Sequence, residues 1–328
     1  YTDKLGPFLE RACELTGQDA ALPMNTGAEA VETAVKAARR WGYEIKGIAE
    51  NQAEIIVCSG NFHGRTTTII SFSDEAEYQK NFGPLTPGFK IAQYGDIDSL
   101  KALITPNTAA FLIEPIQGEG GIVIPPAGYL KACETLCREH NVLLIADEIQ
   151  CGLGRTGKML ACNHEDVVPD GLILGKALGG GIMPVSMFLA KKEVMDVFVP
   201  GTHGSTFGGN PLAAAIGLEA LNILVDENLA ERSMEMGNYM MGELKKLDSA
   251  MISTIRGSGL FIGIEIDPAL GSAREICERL MTRGLLSKET HETVVRLAPP
   301  LIITKEQIDW AVDQIGQVLQ ELDSIRFV

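Results

Sequence analysis

The sequence predicts an α/β fold with a large domain built on a mainly parallel central sheet and a smaller α+β domain at the carboxyl end. Between residues 21 and 209, short apolar runs alternate with helical stretches, which is typical of parallel sheets. Several runs lack polar alternation, which indicates strands buried on both faces. After Pro211 the pattern changes to a long helix, a strand, a helix and a further strand.

The individual elements follow from these patterns. Strands of the large domain are expected at 54–58, 67–72, 109–113, 142–146, 171–174 and 185–190. The long helix that begins near Pro211 is expected to bridge the domains. The small domain is expected to contain strands at 257–266 and 293–297 and a helix at 273–283. We place the boundary near residue 227, so that the large domain spans 1–227 and the small domain 228–328.

The composition indicates a soluble globular enzyme. The chain has 328 residues, of which 45% are apolar and 22% charged. Its 28 basic and 43 acidic side chains give a net charge of −15, which repels polyanions, so nucleic acid is not an expected partner. No apolar stretch approaches the roughly 20 residues that span a bilayer, and residues 1–4 do not resemble a signal peptide. We therefore expect a cytoplasmic protein without membrane contact.

Seven cysteines are scattered through the chain. An odd number without a framework pattern indicates reduced thiols. Cys133 and Cys137 lie four residues apart on a predicted helix, but no second Cys or His pair stands nearby. No metal site is expected.

The segment from Pro23 to Trp41 predicts an amphipathic helix with an open amino terminus. The backbone N–H groups of Thr26, Gly27 and Ala28 could hold a phosphate, helped by the positive end of the helix dipole. Because most capped helices bind nothing, an ordinary cap is the favoured interpretation of this segment alone. One face of the helix is apolar and collects Ala30, Val31, Ala34, Val35, Ala38 and Trp41.

Two further loops carry groups suited to ligand binding. Residues 60–65 offer an aromatic ring, an imidazole and a guanidinium, so that a planar cofactor could stack on Phe62 and Arg65 could clamp a substrate carboxylate. Taken alone, the segment is better interpreted as a loop with one surface arginine. Residues 202–211 are rich in glycine and hydroxyl groups before a helix, which suits a turn or a phosphate contact.

Residues 114–121 follow a predicted strand and place Glu114 and Glu119 near its carboxyl end. Their glycines do not form the GxGxxG pattern that opens a helix in dinucleotide-binding folds. A NAD-dependent dehydrogenase is therefore disfavoured.

Asp147 and Lys176 each stand at the carboxyl end of an apolar run, where open α/β sheets bind their ligands. Pyridoxal phosphate chemistry needs a lysine amine that forms a Schiff base and an acid beside the pyridinium nitrogen. A lysine between an apolar strand and a Gly-Gly-Gly turn is not in a typical surface setting. The pair predicts a pyridoxal phosphate enzyme with Lys176 and Asp147 as catalytic residues.

Taken in order, these segments resemble the class III aminotransferases over nearly the whole chain, from about residue 22 to 305. Segments 24–30, 39–43 and 288–301 are similar to members that act on ornithine. The resemblance implies pyridoxal 5′-phosphate, the transferase fold type I, and a homodimer with shared active sites. Members of the family carry further residues before the point that matches Tyr1, including aromatic residues of the substrate pocket, so the sequence as given begins within a domain.

The resemblance also implies a role for each site residue. Lys176 is implied to be the Schiff-base lysine and proton shuttle, and Asp147 to pair with the pyridinium nitrogen. The other implied cofactor contacts are to the phenolic oxygen (Gln150), the ring face (Phe62), the phosphate (Gly27 and Ala28) and the phosphate of the neighbouring subunit (Ser205 and Thr206).

For the substrates, the resemblance makes Arg65 a carboxylate binder and Arg296 a second one, masked by Glu119 while ornithine is bound. Ornithine presents a distal amine, whereas glutamate and 2-oxoglutarate bring a second carboxylate that needs a cation. The implied reaction moves the δ-amino group of ornithine to 2-oxoglutarate by a ping-pong route, giving glutamate 5-semialdehyde and glutamate. An aminotransferase for acetylornithine or another ω-amino acid is the alternative, and a binding protein without catalysis is a more distant one.

Overall fold

The computed structural model describes residues 2–326, which fall into two compact units. The first unit comprises the residues up to Pro115 together with Pro125–Leu153 and Leu160–Asp226, and the second comprises Ile116–Ile124, Gly154–Met159 and the residues from Glu227 onward. The division at residue 227 is kept as a proposal about domains. The compact units differ from it because they assign two short internal segments to the second unit. Over residues 2–326, no helix has the length and apolarity needed to cross a bilayer.

A seven-stranded sheet forms the centre of the first unit, in the order β1-β7-β6-β5-β4-β2-β3. Strands β2 to β6 run parallel to one another, whereas β7 is antiparallel to both β6 and β1. The central strands β4 and β5 are buried along their whole length, as their unbroken apolar runs predicted. The mainly parallel sheet is thus confirmed. The strands are β1 (Ala20–Met24), β2 (Glu54–Cys58), β3 (Phe89–Ala92), β4 (Thr108–Ile113), β5 (Leu143–Asp147), β6 (Gly171–Leu174) and β7 (Ser186–Ala190).

The helices of the first unit include one correction. Residues 67–72, predicted as a strand, begin with the short helix α3, because the Thr66 hydroxyl caps it by accepting a hydrogen bond from the Ile69 N–H. The predicted apolar face of α2 is confirmed as buried. The helices are α1 (Leu5–Thr16), α2 (Gly27–Glu44), α3 (Thr67–Ile70), α4 (Ala76–Gln79), α5 (Ile97–Leu103), α6 (Tyr129–Glu139), α7 (Lys192–Met195) and α8 (Pro211–Asp226).

The second unit contains an antiparallel sheet in the order β10-β11-β9-β8. Its strands are β8 (Ile252–Ser258), β9 (Phe261–Ile266), β10 (Lys288–Thr290) and β11 (Val294–Leu297), and its helices are α9 (Leu229–Leu244), α10 (Ala273–Thr282) and α11 (Lys305–Arg326).

Two predictions for this part of the chain were wrong in detail. Residues 257–266 do not form one strand, because the chain turns at Gly259, whose φ of +54° lies in the left-handed region that favours glycine. The single long helix from Pro211 is instead two helices, α8 and α9. Between them stands Asn228, whose φ of +50° interrupts the helical conformation.

Helix α9 offers two glycines with opposite surroundings. A Cβ added at the buried Gly237 would lie 2.1 Å from the Gly259 carbonyl oxygen, whereas nothing lies within 4 Å of a Cβ at the exposed Gly242. We expect Gly237→Ala to lower the free energy of unfolding by about 2–3 kcal/mol or more, because backbone must move to admit the methyl group. Gly242→Ala should raise it by about 0.5–1 kcal/mol. Urea denaturation of both variants checks this, and equal effects of the two would contradict the close packing.

Candidate active site

A cavity of about 170 Å³ lies at the carboxyl ends of β5 and β6 in the first unit. It is the position at which open α/β sheets bind ligands. Six of the predicted site residues meet here, namely Gly27, Ala28, Phe62, Asp147, Gln150 and Lys176. Four residues that were not predicted as site residues complete the lining: His63, Gly64, Glu114 and Ile149.

Lys176 begins the short 3₁₀ turn Lys176–Gly179 just beyond β6, and its side chain is exposed in the single chain. Its φ of +44° lies in the left-handed region, which is unfavourable for a residue with a Cβ. Such strain persists where the surroundings fix the backbone, and it concentrates at functional sites. The preceding strand is buried on all four residues, which fixes where Lys176 leaves the sheet.

Asp147 is the last residue of β5, and its carboxylate is buried and held at both oxygens. His63 Nδ1 lies 2.7 Å from Oδ2, and the Ile149 N–H donates to Oδ1 at 3.1 Å. Because an ionised carboxylate only accepts, the His63 proton on Nδ1 is the donor. Burial disfavours a charged imidazolium, but the hydrogen bond and the charges of Asp147 and Glu114 outweigh it and raise the pKa of His63.

His63 and Glu114 are ionisable residues of this cavity that sequence analysis did not predict as site residues. Glu114 is 4% exposed and accepts the Phe62 N–H at 2.8 Å, which fixes the loop that carries Phe62 and His63. The signal for His63 was present, since its imidazole stands beside Phe62 in the 60–65 motif. Its partner Asp147 is 84 residues away in sequence, so no local pattern revealed the contact.

The amino terminus of α2 supplies the part of the lining suited to a phosphate. Gly27 and Ala28 are the first residues of the helix and line the cavity. The Thr26 N–H, which the sequence assigned to phosphate, instead donates to Glu29 Oε2 at 2.6 Å, while Thr26 Oγ1 accepts from the Glu29 N–H at 3.3 Å. This is a capping box, and the Thr-x-x-Glu spacing was its sequence signal. Of Thr26, Gly27 and Ala28, the last two are therefore better placed to hold a phosphate.

Arg65 is exposed, and its guanidinium lies 4.4 Å from the centroid of the Tyr78 ring and 5.5 Å from that of Phe62. Cation–π contacts of this kind hold an arginine without neutralising its charge. Arg65 does not itself line the cavity, although Phe62 does. The charge thus remains able to attract a carboxylate.

Ser205 and Thr206 lie outside the cavity that contains Lys176. They line a second hollow of about 350 Å³ in the first unit. Ser205 Oγ accepts hydrogen bonds from Asn25 Nδ2 and from the Gly208 N–H, both at 3.0 Å. The structure of one chain therefore separates these two residues from the other predicted cofactor contacts.

Glu119 and Arg296, the remaining predicted residues, form an ion pair within the second unit. Arg296 Nη1 donates to Glu119 Oε1 at 2.6 Å, and Lys288 Nζ donates to Oε2 at 2.8 Å. Burial opposes ionisation of Glu119, but the hydrogen bonds and charges of Lys288 and Arg296 outweigh it and lower the pKa of Glu119 to about 2. Lys288 opens the 288–301 motif, yet it was not predicted as a site residue. Glu114, although only five positions from Glu119, belongs to the first unit.

The side chains around the first cavity fit pyridoxal phosphate. An amine that can bond to an aldehyde (Lys176) and a buried carboxylate suited to a pyridinium nitrogen (Asp147) line one cavity. Phe62 supplies an aromatic wall, and the start of α2 supplies peptide N–H groups and a positive dipole end for a phosphate. Each part of the cofactor thus has a group of matching chemistry.

Comparison with known proteins agrees with this chemistry. A family model for class-III aminotransferases matches residues 1–319. The ornithine aminotransferase of Bacillus subtilis (strain 168) is 60% identical over 98% of this chain and 79% of its own length. A Toxoplasma gondii ornithine aminotransferase, whose structure shows partial occupancy of pyridoxal phosphate at its active site, superposes with a TM-score of 0.97 at 45% identity, over 100% of this chain and 79% of that one. An acetylornithine aminotransferase from Elizabethkingia anophelis is 52% identical, with a TM-score of 0.88 over 98% of this chain and 80% of that one.

The raised pKa of His63 predicts a pH-dependent contribution to stability. A group whose pKa is higher in the folded state stabilises fully below its unfolded pKa, about 6.5, and loses that contribution as the pH rises through the folded value. His63→Asn keeps a neutral donor near Asp147 but removes the charge. We expect it to cost about 1–3 kcal/mol of unfolding free energy at pH 6 and less at pH 9.

Urea denaturation at both pH values measures this difference, and the exposed His140, replaced as His140→Asn, serves as the control. A loss of stability in His63→Asn that is the same at pH 6 and pH 9 would show that the imidazolium charge plays no part.

Proposed function

The chain belongs to the class-III aminotransferase family, and from this premise we propose that it is an ornithine δ-aminotransferase. Members of the family are pyridoxal phosphate-dependent transaminases of fold type I. The proposed reaction transfers the δ-amino group of L-ornithine to 2-oxoglutarate and gives glutamate 5-semialdehyde, which cyclises to pyrroline-5-carboxylate, and glutamate. The observation that supports ornithine is the 60% identity to an ornithine aminotransferase, together with the 288–301 segment. The Glu119–Arg296 pair, an arginine covered by a carboxylate, supports an amino donor without a second carboxylate.

The proposed chemistry assigns separate tasks to residues of the first cavity. Pyridoxal phosphate, when bound, supplies an electron sink that acidifies the C–H bond beside the reacting amine. Lys176 Nζ would hold the cofactor in the resting enzyme and would act as the general base toward Cδ of ornithine. Asp147 would supply a negative charge to the cofactor's ring nitrogen, and His63 keeps that carboxylate in position. Gly27 and Ala28 would hold the phosphate.

The two substrates need different contacts from the proposed binding site. Ornithine has no second carboxylate, so Glu119 covers Arg296 during the first half-reaction. 2-Oxoglutarate brings two carboxylates, and Glu119 must release Arg296 to receive one of them. Arg65 is proposed to bind the other carboxylate. Its exposure and its position over Phe62 and Tyr78 support that role.

We also propose a cytoplasmic homodimer in which Ser205 and Thr206 reach the cofactor phosphate of the partner. Both residues lie outside the cavity of Lys176, which supports a role toward another chain. Neighbouring Phe207 is 69% exposed, and Ile182, six residues after Lys176, is 78% exposed. Large exposed apolar side chains of this kind are typical of surfaces that a partner covers.

The reaction is tested with a panel of amino donors. Holoenzyme with 2-oxoglutarate should give a kcat/KM for L-ornithine at least about tenfold above that for N-acetylornithine, because acetylation adds bulk to the substrate and removes the positive charge of its α-ammonium group. Formation of glutamate measures both. Lys176→Ala should show no turnover, while Lys192→Ala, which changes an exposed lysine, should retain it. A preference for N-acetylornithine would favour the alternative, an acetylornithine aminotransferase.

The proposed masking role of Glu119 is tested by Glu119→Gln. The substitution removes the negative charge that Glu119 places against Arg296, so the kcat/KM for glutamate as donor should rise about tenfold relative to that for ornithine. Steady-state kinetics with each donor give this ratio. Glu278→Gln removes a comparable paired carboxylate from α10 and should leave the ratio unchanged. A ratio that Glu119→Gln does not shift would contradict masking.

A further inference from the structure

Lys288 and Arg296 are placed face to face by the β10–β11 hairpin. They are directly opposite in the antiparallel register. Opposed side chains on adjacent strands stand on the same face of the sheet, and two like charges in that arrangement destabilise it. Glu119 offsets the repulsion because each of its carboxylate oxygens accepts from one cation, at 2.6 Å from Arg296 and 2.8 Å from Lys288. The unit is therefore a three-membered bridge rather than a simple pair.

The two cations differ in their exposure. The Arg296 and Glu119 side chains are 18% and 20% exposed, whereas Lys288 is 57% exposed. If Arg296 turned away from a Glu119 that had no other partner, a mostly buried carboxylate would be left without compensation, which is costly. Lys288 prevents this, because its contact is with the other oxygen and does not depend on Arg296.

We propose that Lys288 is a positioning residue that retains Glu119 through Oε2 when Arg296 is released to a substrate carboxylate, and that it thereby favours the dicarboxylate half-reaction over the ornithine half-reaction. This inference rests on the proposed function, in which Glu119 covers and releases Arg296. Burial would raise the pKa of Glu119, but the hydrogen bonds and charges of Lys288 and Arg296 together lower it. Without Lys288, Glu119 would hold Arg296 as its one remaining cation in the bridge, and release would be harder.

Ligand binding to the pyridoxamine phosphate form of the holoenzyme separates the two states, because this form has no aldehyde and the two ligands below do not react with it. Glutarate has the two carboxylates of 2-oxoglutarate, and 5-aminovalerate has the distal amine of ornithine. By calorimetry on the holoenzyme, we expect Lys288→Gln to weaken glutarate binding about three- to tenfold relative to 5-aminovalerate binding. Lys288→Arg should restore the wild-type ratio to within about twofold, since it keeps the charge. Lys305→Gln, which removes a lysine of similar exposure (53%) paired with Glu235, should not change the ratio.

A double-mutant cycle tests whether Lys288 acts through Glu119. In the Glu119→Gln background, Lys288→Gln should cause no further loss of glutarate affinity. The same loss with and without Glu119 would overturn the inference, as would an unchanged ratio in the single variant or no glutarate binding to the wild-type enzyme. Failure of the wild-type enzyme to transaminate ornithine is a separate outcome. It would overturn the proposed function, while the binding ratios still decide the role of Lys288.

Discussion

The first unit depends on the burial of one carboxylate, that of Asp147, at the end of a strand with no exposed residue. A buried charge is tolerated only when hydrogen bonds and an opposite charge compensate it. His63 and the Ile149 N–H supply that compensation, and Glu114 fixes the loop that brings His63. The arrangement holds a negative charge at a defined point of the cavity. A pyridinium nitrogen needs such a charge beside it. The contact between His63 and Asp147 thus compensates a buried charge and also holds that charge where the proposed chemistry needs it.

The shared position of Asp147 and Lys176 at one cavity was predictable from sequence because strand ends are local features. An apolar run that stops at a charged residue identifies both the strand and its carboxyl end, and Asp147 and Lys176 each follow such a run. The predictions of individual elements failed where a single residue outweighed the hydrophobic pattern. Residues 67–72 have the composition of a strand, but the Thr66 cap begins a helix, and the turn at Gly259 divides what looked like one strand. Hydrophobic periodicity does not register such local conformations.

A different cause explains why some site residues were not predicted. His63 and Lys288 gain their roles from partners 84 and 169 residues away, and sequence spacing carries no information about contacts of that range. Glu114 and Glu119 show the converse, since five positions separate two carboxylates that serve different units. A cluster of acidic residues in sequence is therefore weak evidence for a cluster in space. The parallel sheet sets the spatial relations of its strand ends, but it does not determine where the loops beyond those ends lie.

The bridge of the second unit has a physical property that suits an enzyme with two unlike substrates. Two cations and one carboxylate leave one net positive charge, whichever cation Glu119 contacts. Because the pKa of Glu119 is lowered to about 2, its carboxylate remains ionised throughout the neutral range. In the proposed function, exchange between the covered and released states of Arg296 therefore requires no protonation of Glu119. The proposed choice between an amine and a carboxylate is thus made by which atoms are in contact, with Glu119 ionised throughout, and it is separate from the proton transfers that are proposed for Lys176.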